Sequence, residues 1–173
     1  MNIFFLHPKP RRCARWHCDK HVVKMLLETC QLLYTCHWMI NGGIAVVASA
    51  PFVKEGQRGY KKSHWNHPCG KWLRESQFSY IWLAALGLEL LREYNFRYPG
   101  KIHACAVHIE WLAANVPEGL VNRGWIEPAC AMPDKYKSGD PVASYRRYYI
   151  GDKIGFAKYT NRHRPHWLAS TDA

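Results

Sequence analysis

The spacing of apolar and polar residues predicts helices along most of the chain. Residues 12–39 contain neither proline nor glycine and repeat apolar residues at helical spacing, so they predict one long helix or two abutting helices that end at Gly42-Gly43. The same spacing predicts helices at about 71–94 and 104–114. Because an acidic N-cap followed by proline is a typical helix start, Asp140-Pro141 predicts another helix. Alternating patterns are nearly absent, so the predicted fold class is mostly α.

The stretches between these helices predict long loops and two distinctive ends. Residues 1–6 are apolar and predict a short extended segment that ends at His-Pro. Residues 44–62 are too long for a plain connector and predict a functional or mobile loop. Residues 117–133 predict a further loop, and residues 153–173 a basic, aromatic tail. The chain length suits one domain, so we expect a single compact orthogonal helical domain over 1–173.

A narrow polar stripe runs along the first predicted helix. On a helical wheel its members lie within about 40° of one line, and they are His17, His21, Lys24, Glu28, Gln31 and Thr35. A solvated face of an amphipathic helix is the ordinary interpretation. Two imidazoles, a lysine four residues before a carboxylate and apolar flanks at Val23 and Leu27 favour a cleft instead.

The residue types of this stripe suit attack on an electrophilic carbon such as a sugar C1′. A partly desolvated lysine loses its proton readily and becomes a nucleophile. A buried carboxylate such as Glu28 stabilises developing positive charge or acts as a general base. Histidines such as His17 and His21 move protons near neutral pH. We therefore take Lys24, Glu28, His21 and His17 as candidate catalytic residues.

Motifs for several other chemistries are missing from the sequence. It contains no Walker-type phosphate loop, no G-x-S-x-G and no zinc-deaminase signature. The seven cysteines lack zinc-finger spacing, and His17-Cys18-x-x-His21 is the nearest approach to a metal site. We expect no metal, no cofactor and reduced cysteines in a cytoplasmic protein.

A second polar cluster precedes the predicted helix at 71–94. His64, Asn66 and His67 are candidates for hydrogen bonds to a base or phosphate, and Arg74 follows one to two turns later. The alternative is an ordinary capped helix start with Trp65 packed inward.

The charge of the chain indicates a polyanionic partner. Lys and Arg total 24 against 13 Asp and Glu, which gives a formal charge of +11. Residues 135–164 interleave eight cations with aromatic rings, a combination that suits flipped or single-stranded nucleotides. Tyr145, Arg146 and Tyr149 are the candidate contacts, unless the tyrosines belong to the core. No apolar run reaches the length of a membrane span, so DNA is the expected partner and a membrane is not.

Several motifs resemble a family of small bacteriophage and viral proteins. They are His17-Cys18-Asp19-Lys20-His21-Val22-Val23-Lys24-Met25, Asn66-His67-Pro68-Cys69 and Tyr98-Pro99-Gly100-Lys101. Size, charge and an early helix with a glutamate also make the chain distantly similar to phage pyrimidine-dimer DNA glycosylases of the endonuclease V type. The resemblance adds Lys101 to the candidate substrate-binding residues.

This resemblance implies an amine nucleophile. Such glycosylases use their own N-terminal amine after loss of the initiator methionine, but Asn2 is a poor residue for that removal. We therefore expect Lys20 or Lys24 to supply the amine and Glu28 the carboxylate. The working hypothesis is an enzyme that cleaves the glycosidic bond of a pyrimidine in DNA, with the base flipped out of a duplex or in a single strand.

Two alternatives stay open at this point. One is a transferase that adds an amine or amino acid to a modified thymine in phage DNA. The other is a nucleic-acid-binding protein without catalysis. The sequence predicts no oligomeric state.

Overall fold

The computed structural model describes residues 1–40 and 43–171 of the chain. Its α-helices, in chain order, are α1 (Pro10–Trp16), α2 (Asp19–Met39), α3 (Gly43–Val47), α4 (Pro68–Glu75), α5 (Gln77–Arg97), α6 (Ala106–Ala114) and α7 (Pro141–Asp152). Strands β1 (Phe52–Lys54) and β2 (Gln57–Arg58) form a small antiparallel hairpin, and the 3₁₀ turns are Asp134–Tyr136, Ile154–Phe156 and His166–Thr171. The mostly α prediction is confirmed.

The N-terminal segment enters the core without regular secondary structure, and it turns at Phe4, whose carbonyl accepts a hydrogen bond from the Leu6 N–H at 2.8 Å. Ile3, Phe4, Phe5 and Leu6 are all buried. Phe5 stacks on Trp82 of α5 at 4.1 Å between ring centroids. Phe4 has a φ of 50°, an uncommon left-handed conformation for a residue other than glycine. The segment therefore reaches the centre of the molecule, where its first residues meet α2.

Both long predicted helical stretches are divided in two. The first breaks at His17 and Cys18, both with extended backbone, so α1 and α2 abut. The second breaks at Ser76, whose side chain accepts a hydrogen bond from the Phe78 N–H and caps α5. The predicted end of the first stretch at Gly42 lies outside the described residues, and α2 itself ends at Met39.

Helix α5 packs against α1, α2, α4 and α6. Gly87 permits a close approach to two of them, because a Cβ there would lie 2.9 Å from the Ile109 side chain of α6 and 3.2 Å from the Thr29 side chain of α2. Helix α2 is consequently covered along much of its length, and His21, Glu28 and Thr35 become interior groups whereas Lys20 and Lys24 stay exposed.

Residues 44–62 hold α3 and the hairpin where the sequence predicts a loop. Gly56 makes the turn with a φ of 72°, and Arg58 donates a hydrogen bond to the Ala50 carbonyl at 2.7 Å. Trp38 binds the segment to α2 through its indole N–H, which donates to the Tyr60 carbonyl at 2.8 Å. Mobility of this segment stays a prediction.

The start of α7 is confirmed. Asp140 Oδ1 accepts hydrogen bonds from the backbone N–H groups of Val142 and Ala143. The stretch at 117–133 is irregular, as predicted. Within the part of the chain that the structure describes, no helix has the length and apolar character needed to cross a membrane.

Candidate active site

A pocket of about 410 Å³ opens beside the first half of α2. Its lining comes from the N-terminal segment, from α2, and from α7 with the turn that follows it. The lining residues are Met1, Asn2, Phe4, Lys20, His21, Lys24, Met25, Glu28, Tyr148, Lys153 and Phe156. The structure thus brings together four of the five predicted catalytic residues.

Glu28 is held between two nitrogen atoms. The backbone N–H of Asn2 donates to Glu28 Oε2 at 2.7 Å, and Lys24 Nζ lies 3.3 Å from Oε1. The Glu28 side chain is 9% exposed, whereas the Lys24 side chain is 68% exposed. The carboxylate is therefore fixed at the pocket wall while the ammonium group remains hydrated at its rim.

His21 is buried and hydrogen-bonded away from the pocket. Its Nδ1 lies 2.6 Å from Tyr149 Oη, which also accepts a hydrogen bond from the Cys18 N–H at 2.9 Å. Burial, with smaller effects of His17, Lys153 and Lys24, lowers the pKa of His21 to about 3. The imidazole is consequently neutral at physiological pH.

His17 lies behind the pocket instead of lining it. It occupies the C-cap of α1, and its Nδ1 donates to the Cys13 carbonyl at 2.7 Å. Burial lowers the pKa of His17 to about 4, so this ring is neutral too. The helix break at His17 removes it from the stripe on which a continuous helix would have placed it.

Two lysines at the pocket rest against aromatic rings. Lys20 Nζ lies 5.1 Å from the centroid of Phe156, and Lys153 Nζ lies 4.6 Å from that of Tyr148. Cations of this kind neutralise phosphates, and rings of this kind stack on bases. Both rings and Lys153 lie in the basic, aromatic stretch 135–164 that was predicted to bind nucleotides, but none of the three was among the candidate contacts.

Three lining residues at the start of the chain were also missed. The buried apolar segment was recognised, but nothing in the sequence indicates that Met1, Asn2 and Phe4 reach Glu28 and His21. This placement arises only when the segment packs against α2.

The cluster at 63–68 forms the entrance to α4, next to the pocket lining but outside it. His67 is the N-cap, and its Nδ1 accepts from the Cys69 N–H at 3.2 Å. Burial lowers the pKa of His67, and the nearby carboxylate of Glu28 acts in the opposite direction. Trp65 is 50% exposed, so the expectation that it packs inward is wrong.

Of the remaining members of that cluster, Arg74 makes a hydrogen bond within the protein. Asn66 is exposed, and His64 takes a φ of 49° in the turn. Arg74 donates to the Trp65 carbonyl at 2.7 Å. Substrate binding by His64, Asn66, His67 and Arg74 stays a prediction.

The candidate nucleic-acid contacts of α7 lie elsewhere than predicted. Tyr145 and Tyr149 are buried core residues, and the Tyr145 hydroxyl donates to the Ala129 carbonyl at 2.8 Å. Arg146 donates to the Leu6 carbonyl and lines a separate cavity of about 540 Å³. Direct contact of Tyr145 and Tyr149 with a base would therefore require the core to open.

Lys101, the last candidate substrate-binding residue, follows α5 in a turn. Its Nζ lies 5.9 Å from the Tyr98 ring centroid.

Among the described residues, no group of three or more His, Cys, Asp or Glu side chains is arranged to hold a metal ion. The seven cysteines are free thiols. The chemistry available in the pocket is thus that of a carboxylate, neighbouring amines and an imidazole.

Comparison with known proteins identifies the family. A family model described as pyrimidine dimer DNA glycosylase matches residues 1–104. No curated protein and no solved structure matches the chain. The matched stretch includes the N-terminal segment and all the pocket residues of α2, and the resemblance noted from the sequence is confirmed. The family acts on DNA, and because its model covers more than half of the sequence, the chain belongs to the pyrimidine dimer DNA glycosylase family.

Proposed function

We propose that this protein excises a pyrimidine at dimers in DNA, through a covalent intermediate formed in the pocket beside α2. The observation that carries the proposal is the position of Glu28, whose two carboxylate oxygens face the Asn2 nitrogen and Lys24 Nζ. An amine beside a carboxylate is the arrangement that attack on the sugar C1′ requires.

The reaction would proceed by displacement followed by ring opening. The amine nitrogen forms a bond to C1′ as the bond from C1′ to the base nitrogen breaks, and the base departs with that electron pair. Glu28 stabilises the positive charge that develops at the sugar, and it accepts a proton from the attacking amine. Opening of the sugar ring then leaves an imine between the protein and C1′.

Two nitrogens compete for the role of nucleophile. The first is the Asn2 nitrogen, which cleavage of the Met1–Asn2 bond would convert into a free α-amine 2.7 Å from Glu28. The second is Lys24 Nζ at 3.3 Å. In general an α-amine is less basic than a lysine side chain, so more of it is free to attack at neutral pH. We therefore assign attack to the Asn2 nitrogen, which revises the expectation that Lys20 or Lys24 serves. This assignment requires removal of Met1, a step that Asn2 disfavours and that the intact mass tests.

The rest of the pocket suits a nucleotide turned out of the duplex. Tyr148 and Phe156 offer ring faces on which a base can stack, and Lys20 and Lys153 would move from these rings to the flanking phosphates. Flipping costs a few kcal/mol and is cheapest at a damaged pair.

Borohydride trapping tests this mechanism. The protein is mixed with ultraviolet-irradiated duplex DNA and reduced, and we expect a covalent adduct that peptide mapping places at Asn2. Glu28→Gln should lower adduct formation and base release by about a hundredfold or more, because an uncharged amide stabilises the positive sugar poorly. Glu110→Gln, an exposed change on α6, is the matched control and should leave both unchanged.

Each other result has a defined meaning. An adduct at Lys24, with Met1 still attached in the intact mass, would transfer the nucleophile's role to that lysine. No adduct on any lesion-bearing duplex, with Glu28→Gln indistinguishable from the parent, would remove the glycosylase mechanism. A mass gain on modified thymine without base release would favour the transferase, and binding without either would favour the non-catalytic protein.

A further inference from the structure

We propose that His21 serves this site as a fixed neutral hydrogen-bond donor, with Tyr149 as the positioning residue that determines its tautomer. Its Nε2–H would bind a carbonyl oxygen of the flipped pyrimidine as the base departs. The substrate part of this inference rests on the proposed function, whereas the tautomer does not. It replaces the expectation that His21 moves protons.

A chain of hydrogen bonds determines where the imidazole proton lies. The Cys18 N–H donates to Tyr149 Oη at 2.9 Å, so the phenol oxygen already accepts one hydrogen bond. We assign the phenol proton to the contact with His21 Nδ1, 2.6 Å away, because Oη makes no other hydrogen bond to an acceptor among the described residues. A neutral imidazole that accepts at Nδ1 carries its proton on Nε2.

The imidazole ring is also fixed by aromatic contacts. Phe4 stacks on it with centroids 4.3 Å apart, and Tyr149 and Phe156 meet it edge-on at 5.1 and 5.6 Å. His21 lines the pocket, and its Nε2 has no hydrogen-bond partner among the described residues. A donor is thus held at the pocket wall with no partner of its own.

Burial keeps His21 neutral, and its titratable neighbours act in the same direction. Lys24 lies on the same helix, Lys153 ends α7, and His17 ends α1. Burial has the largest effect and these three groups add to it, so the pKa of His21 is lowered to about 3. An imidazolium here would face two lysines, whereas the neutral ring adds no positive charge beside the attacking amine.

A neutral donor suits the departing group. As the glycosidic bond breaks, the pyrimidine takes the electron pair and its negative charge spreads to the ring carbonyl oxygens, and solvent then protonates it. A hydrogen bond aimed at such an oxygen strengthens in the transition state. Because thymine and cytosine both carry a carbonyl at C2, this contact would accept either pyrimidine.

The tautomer can be measured without any substrate. In protein labelled with ¹⁵N-histidine, two-bond proton–nitrogen spectra distinguish a protonated ring nitrogen from an unprotonated one, and the His21→Gln spectrum identifies the His21 signals. We expect protonated Nε2 and unprotonated Nδ1 from pH 8 to pH 5. In Tyr149→Phe, which lacks the donor to Nδ1, we expect mixed tautomers. A His21 that titrates near pH 6.5, or that is protonated at Nδ1, overturns the inference.

Activity variants test the role without relying on Tyr149→Phe, which removes a buried hydroxyl and lowers stability. Glutamine places an amide N–H near the position of Nε2, whereas asparagine places it near Nδ1. We expect His21→Gln to keep base release within about tenfold of the parent and His21→Asn to lose about a hundredfold, the usual cost of one such donor. Thermal unfolding of both variants provides the stability comparison.

The outcomes separate this inference from the proposed function. Equal losses in His21→Gln and His21→Asn, or an acidic limb near pH 6.5 that disappears in His21→Gln, would make His21 a proton carrier and overturn the inference alone. If the parent protein releases no base, the proposed function and the catalytic role of His21 fail together, and the spectra still determine the tautomer.

Discussion

Two functional side chains of α2, Glu28 and His21, each depend on one residue that is distant in the sequence. Glu28 is oriented by the Asn2 N–H and His21 by the Tyr149 hydroxyl, across separations of 26 and 128 residues. The helical wheel predicted that His21, Lys24 and Glu28 share a face because α-helical spacing is local. It could not predict their partners, since these come from segments whose positions only tertiary packing determines.

Lys20 and Lys153, the two lysines that rest against aromatic rings at the pocket, provide a prediction at the same scale. Lys20→Ala and Lys153→Ala should each lower the slope of log binding constant against log salt by about one, because each removes one phosphate contact. Fluorescence anisotropy with a labelled duplex at several salt concentrations measures this slope. Lys54→Ala in the hairpin, which lies outside the pocket, should leave it unchanged. Equal slopes in the parent protein and all three variants would show that Lys20 and Lys153 do not contact the DNA phosphates.

At the scale of elements, breaks between helices determine the shape of the site. The start of α7 could be predicted because Asp140-Pro141 is a local signal. Two abutting helices were one of the two predictions for residues 12–39, but neither the position of that break nor the break at Ser76 could be predicted, since apolar periodicity continues through both. Cys18 is held extended partly by its hydrogen bond to Tyr149, and Ser76 by bonds to a loop some 47 residues away. The length of the segment 44–62 likewise gave no indication that it contains the hairpin of β1 and β2.

Ser76 should therefore contribute measurably to stability. Its buried Oγ accepts from the Phe78 and Arg123 N–H groups and donates to the Gly124 carbonyl at 2.9 Å. Ser76→Ala leaves those groups unpaired, and we expect the free energy of unfolding to fall by about 2 kcal/mol in urea titrations. Ser49→Ala removes an exposed hydroxyl and should change it by less than ~0.5 kcal/mol. Similar effects of the two changes would contradict this account of the break.

At the scale of the whole molecule, a buried ionic cluster joins the C-terminal third to the helices. Arg97 has a fully buried side chain and pairs with Asp19 and Glu93, each at 2.8 Å. Arg162 also pairs with Glu93 at 2.8 Å, and the Thr160 hydroxyl donates to Asp19. The basic residues near the end of the chain were predicted to bind DNA, but Arg162 serves this cluster. Charge composition alone could not distinguish the two roles.

This cluster makes stability depend on acid pH. Burial alone would raise the pKa of Glu93, but the hydrogen bonds and charges of Arg162 and Arg97 lower it below its usual value. Its contribution is therefore complete above the ordinary glutamate pKa of about 4.3 and is lost as the pH falls through the lower folded value. Glu93→Gln should lower the free energy of unfolding by about 3 kcal/mol at pH 7.

Urea titrations between pH 7 and pH 3 measure this dependence. The Glu93→Gln protein should lack the part of the acid loss that this carboxylate causes. Glu89→Gln, whose partner Arg92 is exposed, is the control and should follow the parent within ~1 kcal/mol at every pH. An unchanged acid profile in Glu93→Gln would show that the cluster does not couple folding to protonation.

The lining of the pocket comes from two parts of the chain that differ in their likeness to the family. The carboxylate and the nitrogens beside it lie within residues 1–104, the stretch that carries the family likeness, whereas Tyr148, Lys153 and Phe156 lie beyond it. If the proposed function holds, we expect substitutions in Tyr148, Lys153 and Phe156 to alter how the flipped nucleotide is held and to leave the reacting groups in place. An altered damage preference would then arise through α7 and the turn after it.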